Sequence, residues 1–100
     1  MTRNVVVTGM GVVSPLGNNI GTYWDGLREG RSAIIKREYQ AADKFSLTVP
    51  VAPIDDIADM IKSLGRDMLR ADRFSQLAVI AADEAIKDSG IEFDEALGAR

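Results

Sequence analysis

Cysteine and histidine are both missing from the 100 residues of this chain. Without cysteine there is no disulfide and no thiolate nucleophile, and without histidine the side chain best suited to proton transfer near neutral pH is gone. The usual zinc ligands go with them. Chemistry performed by these residues alone would have to rest on carboxylates, lysines or hydroxyls. No apolar run reaches the roughly 18 to 20 residues that span a bilayer. There is no dense basic block either: twelve Lys and Arg are outnumbered by fifteen Asp and Glu, for a net charge of -3. That balance carries no nucleic-acid footprint. The start, Met-Thr-Arg-Asn, leads into an apolar run, but glycines break it and no Ala-x-Ala cleavage pattern follows, so it reads as mature cytoplasmic sequence. Internal repeats and low-complexity segments are absent.

What is present begins with Val5 to Gly17, the most apolar run of the chain. Valines cluster at 5, 6, 7, 12 and 13, no charge occurs from Asn4 to Asn19, and there is no alternation of polar and apolar residues. A strand with water on one face alternates, whereas a continuous apolar one is covered on both faces, so this run predicts a doubly buried strand. Gly9 and Gly11 mark a bulge or a place where another backbone comes close. Ser14-Pro15 forces extended geometry and delays any helix, leaving a loop from Pro15 to Gly21.

Helix signals follow at Asn19 to Thr22. Thr22 with Asp25 resembles a weak capping box, Tyr23, Trp24 and Leu27 form an apolar stripe, and Gly30 sits at the C-cap position, which predicts a helix of about two turns. Arg31 to Lys44 reads as an irregular surface excursion. Leu47 to Val51 is β-rich, with Pro50 restricting it to an edge strand or an extended segment. Ile54, Ile57, Ile61 and Leu64 fall on one helix face, with Asp55 and Asp56 at its N-terminal end and Gly65 at its close. A longer helix is predicted from about Asp67 or Ala71 to Ser89, closed by Gly90, with Phe74, Leu77, Ala78, Ala81 and Ala85 on one face and Val79, Ile80 and Ile86 on a second. Asp94 is a candidate N-cap for a last turn within the acidic stretch that follows Ile91.

These elements do not add up to a closed fold. One doubly buried strand, one edge strand and three helices cannot cover that strand on both sides, and two-stranded sheets are marginal in water. The chain is therefore either a compact α/β domain with a poor sheet or the opening of a longer α/β chain whose further strands complete it.

Gly9-x-Gly11 after a strand invites a dinucleotide-binding reading. That fingerprint needs a third Gly or Ala and an immediate helix N-terminus to meet the pyrophosphate, and here Ser14 and Pro15 occupy those places. The plainer role of the two glycines is close backbone packing.

Val-Val-Val-Thr-Gly-Met-Gly-Val-Val-Ser-Pro-Leu-Gly-Asn, followed by Tyr-Trp-Asp-Gly-Leu-Arg-Glu-Gly-Arg-Ser-Ala-Ile, resembles the N-terminal opening of the β-ketoacyl-acyl-carrier-protein synthases that elongate fatty acids. The similarity continues through Arg70 to Gln76 and Ala81 to Gly90, with Arg31 to Asp67 least specific. The resemblance implies a thiolase-like layered α-β-α-β-α fold, of which residues 1–100 are the first part of the N-terminal domain. It implies an acyltransferase, usually homodimeric, that performs decarboxylative condensation of malonyl-carrier protein with an acyl chain through one cysteine and two histidines. This sequence has none of those residues, so the resemblance places the catalytic groups beyond Arg100. These 100 residues are expected to be inactive alone and to need no cofactor or metal. Ser14, Ser32 and Ser75 have no histidine to activate them and suit turn or surface roles.

One constellation remains. Lys62, Arg66 and Arg70 follow each other at intervals of four, so a continuous helix would set all three on one face. Like charges at that spacing destabilise a helix by a few tenths of a kcal/mol per pair. The resemblance implies a use for them, since positions similar to Arg66 and Arg70 are basic in the family and face the acyl carrier protein, whereas Leu69 falls where another basic residue is common. The plainer reading is a solvated helix face with Asp67 and Asp72 interleaved. Two further readings stand beside the synthase: a non-catalytic synthase-like scaffold that contacts a carrier protein or a partner subunit, and a stand-alone nucleotide-binding domain.

Overall fold

Residues 3–93 are described by a computed structural model, which contains both helix and strand. The order is α1 (Ile20–Glu29), β1 (Ile35–Ala42), β2 (Phe45–Val51), α2 (Ala58–Ser63), α3 (Arg66–Leu69) and α4 (Arg73–Ser89). The expectation for Asp94 lies outside the described residues.

The opening run does not form the predicted strand. Between Val5 and Gly17 the sole bridge is Ser14 to Gly17, within a turn, and Val5, Val6 and Val7 are 94%, 72% and 80% exposed. A buried strand needs neighbours on its edges, and among the described residues no other strand reaches this one. It is laid instead along α4. Val13 packs against the chain's small core, Ile57, Ile61 and Ile80, together with Ile54, Met60, Leu64 and Leu77.

The glycines explain how the run lies so close. A Cβ on Gly9 would collide with the Ala85 carbonyl oxygen and stand 2.7 Å from the Ser89 nitrogen, and one on Gly11 would collide with the Ala81 carbonyl oxygen and stand 3.0 Å from the Ala85 nitrogen. The expectation of close backbone packing at Gly9 and Gly11 holds, and its partner is the backbone of α4. The run descends α4 in antiparallel sense, two residues per four helical ones. Two extended residues advance about 6.6 Å and four helical residues about 6 Å, so the two repeats keep step. The same match places the amides of Met10 and Val12 against the side chains of Asp88 and Glu84, to which they donate hydrogen bonds of 3.1 and 3.0 Å.

Helix α1 starts earlier than Thr22. Asn19 is its N-cap, its Oδ1 accepting from the Thr22 amide at 2.9 Å, and the helix spans 10 residues before Gly30 closes it at φ 69. The short amide of Asn19 reaches the backbone where the Thr22–Asp25 pair does not, which lengthens the helix by a turn. Gly26, the buried residue of α1, faces Leu16, and the Arg31 guanidinium donates to the Leu16 carbonyl at 3.3 Å.

Arg31 to Lys44 is irregular only up to Ile34: Ile35–Ala42 pairs antiparallel with Phe45–Val51 through the short Asp43-Lys44 connection, with a bulge between Gln40 and Ala42. The register sets Ile35, Arg37 and Tyr39 opposite Val51, Val49 and Leu47, and Lys36, Glu38 and Gln40 opposite Pro50, Thr48 and Ser46. One face is thus largely apolar and the other polar. Arg37 interrupts the apolar row, and this hides the alternation when β1 is read without its partner. Pro50 lies in a two-stranded sheet, where each strand has a free edge. Toward the turn the apolar face is open to solvent among the described residues: Tyr39 and Leu47 remain 47% and 49% exposed. An ion pair from Arg37 to Asp55, 3.5 Å long, links the hairpin to the segment ahead of α2.

The four apolar side chains expected on one helix face do meet at the core, but α2 is shorter than expected: Ile57 is its N-cap and Leu64 its C-cap, and Ile54 lies ahead of the helix, beyond Asp56 at φ 60. Helix α4 begins at Arg73, capped by Asp72 in extended geometry, and ends at Gly90 with φ 70. Its buried face runs through Gln76, Ile80 and the half-buried Leu77, Ala81, Glu84 and Ala85, while Phe74 is 71% exposed and Ala78 is also exposed. The face is therefore rotated from the one predicted, because the small residues at 81 and 85 take a backbone and leave the large ones at 74 and 79 facing outward.

The chain exposes 8393 Å², whereas a folded monomer of its mass exposes about 5,500 Å². Its radius of gyration is 18.4 Å, against about 13 Å for a 100-residue domain. Among the described residues three buried isoleucines, each contributing up to about 1.5–3 kcal/mol, are a small core for this much ordered backbone.

Candidate functional site

Lys62, Arg66 and Arg70 do not share one continuous helix. Lys62 lies in α2, which is capped by Leu64; Gly65 then turns the chain at φ 108, and Arg66 opens the four-residue α3, for which Arg70 is the C-cap. A positive φ of that size is open to glycine and costs a side chain strain, so the break is written into the sequence at Gly65. The three cations straddle a corner. All three are exposed, and the two ion pairs among the described residues, Arg37–Asp55 and Asp83–Lys87, include none of them. Asp67 and Asp72 are thus not engaged with Arg66 or Arg70 as ion pairs. The corner presents two guanidinium groups and an ammonium to solvent, a surface suited to an anionic partner.

The corner is fastened to α4 from behind. Ile57 and Ile61 meet Ile80, the Arg73 guanidinium donates to the Ile54 carbonyl at 2.6 Å, and the buried side-chain amide of Gln76 donates to the Met68 carbonyl at 2.8 Å.

A cleft of about 610 Å³ lies between the opening run, α2 and α4, lined by Met10, Asn18, Met60, Leu64, Glu84 and Asp88 among others. Its carboxylates are already engaged. Glu84 accepts from the amides of Val12 at 3.0 Å and Ile20 at 2.9 Å, one oxygen to each. Asp88 accepts from Met10, and Asp83 pairs with Lys87 at 2.9 Å. These groups hold backbone in place. The hydroxyls do likewise: Ser14 Oγ donates to the Gly17 carbonyl and accepts from the amides of Leu16 and Gly17, while Ser32 Oγ accepts from Ile34. No side chain described here pairs a nucleophile with a base. Among the described residues no group of three or more metal-ligating side chains comes together. The dinucleotide reading of Gly9-x-Gly11 loses its basis, because the amides of Met10 and Val12 face carboxylates where a phosphate would have to sit.

A sequence model of the family described as "Beta-ketoacyl synthase, N-terminal domain" matches residues 2–100. The chain belongs to the β-ketoacyl synthase family. Relatives of this chain include a protein of Streptomyces cyaneus named as a polyketide beta-ketoacyl synthase, 43% identical over 94 residues, which cover 93% of this chain and 22% of that protein. The 3-oxoacyl-[acyl-carrier-protein] synthase 2 of Vibrio harveyi is 39% identical over 100 residues, 98% of this chain and 23% of that one. Nodulation protein E of Rhizobium leguminosarum bv. trifolii is 39% identical over 99 residues, with 95% and 23% covered. The chain thus spans less than a quarter of the length of these relatives. No helix among its described residues is long and apolar enough to cross a membrane.

Sequence reasoning nominated Arg66 and Arg70 and missed Gln76, Glu84 and Asp88. The last two carried a signal: Glu84 and Asp88 share the four-residue interval of Ala81 and Ala85, on the side of α4 where small residues receive another backbone.

Proposed function

We propose that this chain is the opening of a β-ketoacyl-acyl-carrier-protein synthase, an acyltransferase that condenses malonyl-carrier protein with an acyl chain, with loss of carbon dioxide, in fatty acid or polyketide biosynthesis. The observation that carries this reading is the family match across residues 2–100. In it the segment is the first part of a thiolase-like layered N-terminal domain, in a cytoplasmic protein that pairs with a second copy. The excess exposed surface, the bare valines at 5 to 7 and the uncovered apolar face of the hairpin are what later layers would bury. The segment contributes no nucleophile, since it holds neither cysteine nor histidine.

Its own contribution is docking. Arg66 and Arg70 receive the acidic acyl carrier protein, with Lys62 at the far side of the corner, and charge complementarity speeds the encounter more than it tightens the final complex. In the intact protein, reversing both arginines to glutamate (R66E/R70E) is expected to raise KM for carrier-bound substrate about tenfold or more, while KM for a small thioester analogue stays within about twofold. Such a change corresponds to roughly 1.4 kcal/mol of binding free energy. Steady-state kinetics with both substrates measures it, and equal effects on the two would rule out docking at this corner.

A further inference from the structure

The helix that carries Arg66 is too short to stand by itself. Four residues make one turn, and isolated helices shorter than about 12 residues are marginal in water. On one side Gly65 supplies a sharp corner with no Cβ to restrain it. On the other, Arg70 and Ala71 close the turn through long backbone bonds of 3.3 Å each, to Asp67 and Met68. The short bond at this end comes from outside the helix: the Gln76 side-chain amide, 2.8 Å from the Met68 carbonyl, which it shares with the Ala71 amide.

Gln76 is 9% exposed and is the buried polar side chain among the described residues. Nothing in the packing of α4 calls for an amide there, since the position lies on the helix face that carries Ile80. A buried amide is costly unless bonded, and a bonded one fixes a single arrangement of the parts it joins. Here those parts are the long, well-anchored α4 and the one-turn α3.

We propose that Gln76 is a positioning residue for carrier recognition: by holding the Met68 carbonyl it fixes the orientation of α3, and with it the spacing and direction of Arg66 and Arg70 at the corner. This rests on the docking reading above. Gln76 touches no substrate and acts only through the two arginines.

The test uses the intact protein with Gln76→Met, which keeps length and helix propensity but loses the donor. Gln76→Asn, which keeps an amide but is too short by one methylene to reach Met68, serves as an independent variant should the first not fold. Both are expected to raise KM for carrier-bound substrate about three- to tenfold with kcat and the KM for a small thioester unchanged. Backbone amide exchange over residues 66–71 should quicken about tenfold, and that of the β1–β2 hairpin should not change. Unchanged exchange in α3, or a KM that moves equally for both substrates, would overturn the inference. R66E/R70E measured alongside separates the two levels: a carrier-specific effect there with none at Gln76 removes this inference alone, whereas no carrier-specific effect in R66E/R70E removes the docking reading itself.

Discussion

Replacing Gly11 by alanine is expected to destabilise the intact protein by about 3 kcal/mol or more, a larger effect than one methyl group normally has in a packed interior. The added carbon would collide with the Ala81 carbonyl oxygen and lie 2.8 Å from its carbonyl carbon. Those atoms belong to the backbone of a 17-residue helix and cannot swing aside as the end of a side chain could. The opening run must therefore retreat from α4. Retreat stretches the hydrogen bonds that Met10 and Val12 make to Asp88 and Glu84, so one methyl costs packing and polar contacts together. Gly21→Ala is the control. Its Cβ would meet the Asn19 Oδ1 at 3.5 Å, an ordinary contact, and alanine in place of helical glycine favours the helix by up to about 1 kcal/mol. Thermal unfolding should show a midpoint lowered by about 5 °C or more for Gly11→Ala, or loss of soluble protein, and no loss of stability for Gly21→Ala.

Glu84→Ala should follow closely behind. Its carboxylate joins three elements: it stands on α4, accepts from Val12 in the opening run, and accepts from Ile20 at the first turn of α1. The first amides of a helix have no partner within the helix, and a negative group there also suits the helix dipole. Removing the side chain leaves two part-buried amides without partners, at about 1–3 kcal/mol each, for a total of about 2–6 kcal/mol. Glu84→Gln should fall between, because its oxygen can serve one amide while its NH2 group opposes the other. Thermal midpoints in the order wild type, Glu84→Gln, Glu84→Ala would bear this out. Equal stability of Glu84→Ala and wild type would mean that water replaces the carboxylate without loss.

Much of this arrangement could be read from the residues, and the failures have a common cause. Gly30 and Gly90 closed their helices as expected, because a left-handed cap depends on local geometry alone. The apolar residues from Ile54 to Leu64 reached the core as expected, although the helix that carries them starts only at Ala58. Close packing at Gly9 and Gly11 was legible, yet the identity of the neighbour was not, since it lies more than 70 residues away in the sequence. The misread strands needed a partner element to resolve. Val5 to Val7 looked like a buried strand because a continuous apolar run implies cover, and the described residues hold no strand to provide it. β1 looked irregular because Arg37 breaks its apolar row. At the corner of Lys62, Arg66 and Arg70 the spacing of four would align the cations only on a continuous helix, and Gly65, expected at the close of the helix before it, does close it and turns the chain at φ 108. Gln76 gave no warning at all, because a glutamine in a helix is ordinary until its burial is known.

A chain with so much uncovered apolar surface should not fold as an independent unit, and a denaturant titration of residues 1–100 followed by circular dichroism tests this most directly. The expected result is aggregation, or a broad transition with a slope below the roughly 1 kcal/mol/M typical of the smallest cooperative domains in urea. A single sharp two-state transition, coincident for the helical signal and for Trp24 fluorescence, would contradict it and show that the valines at 5 to 7 and the hairpin face need no further layers to cover them.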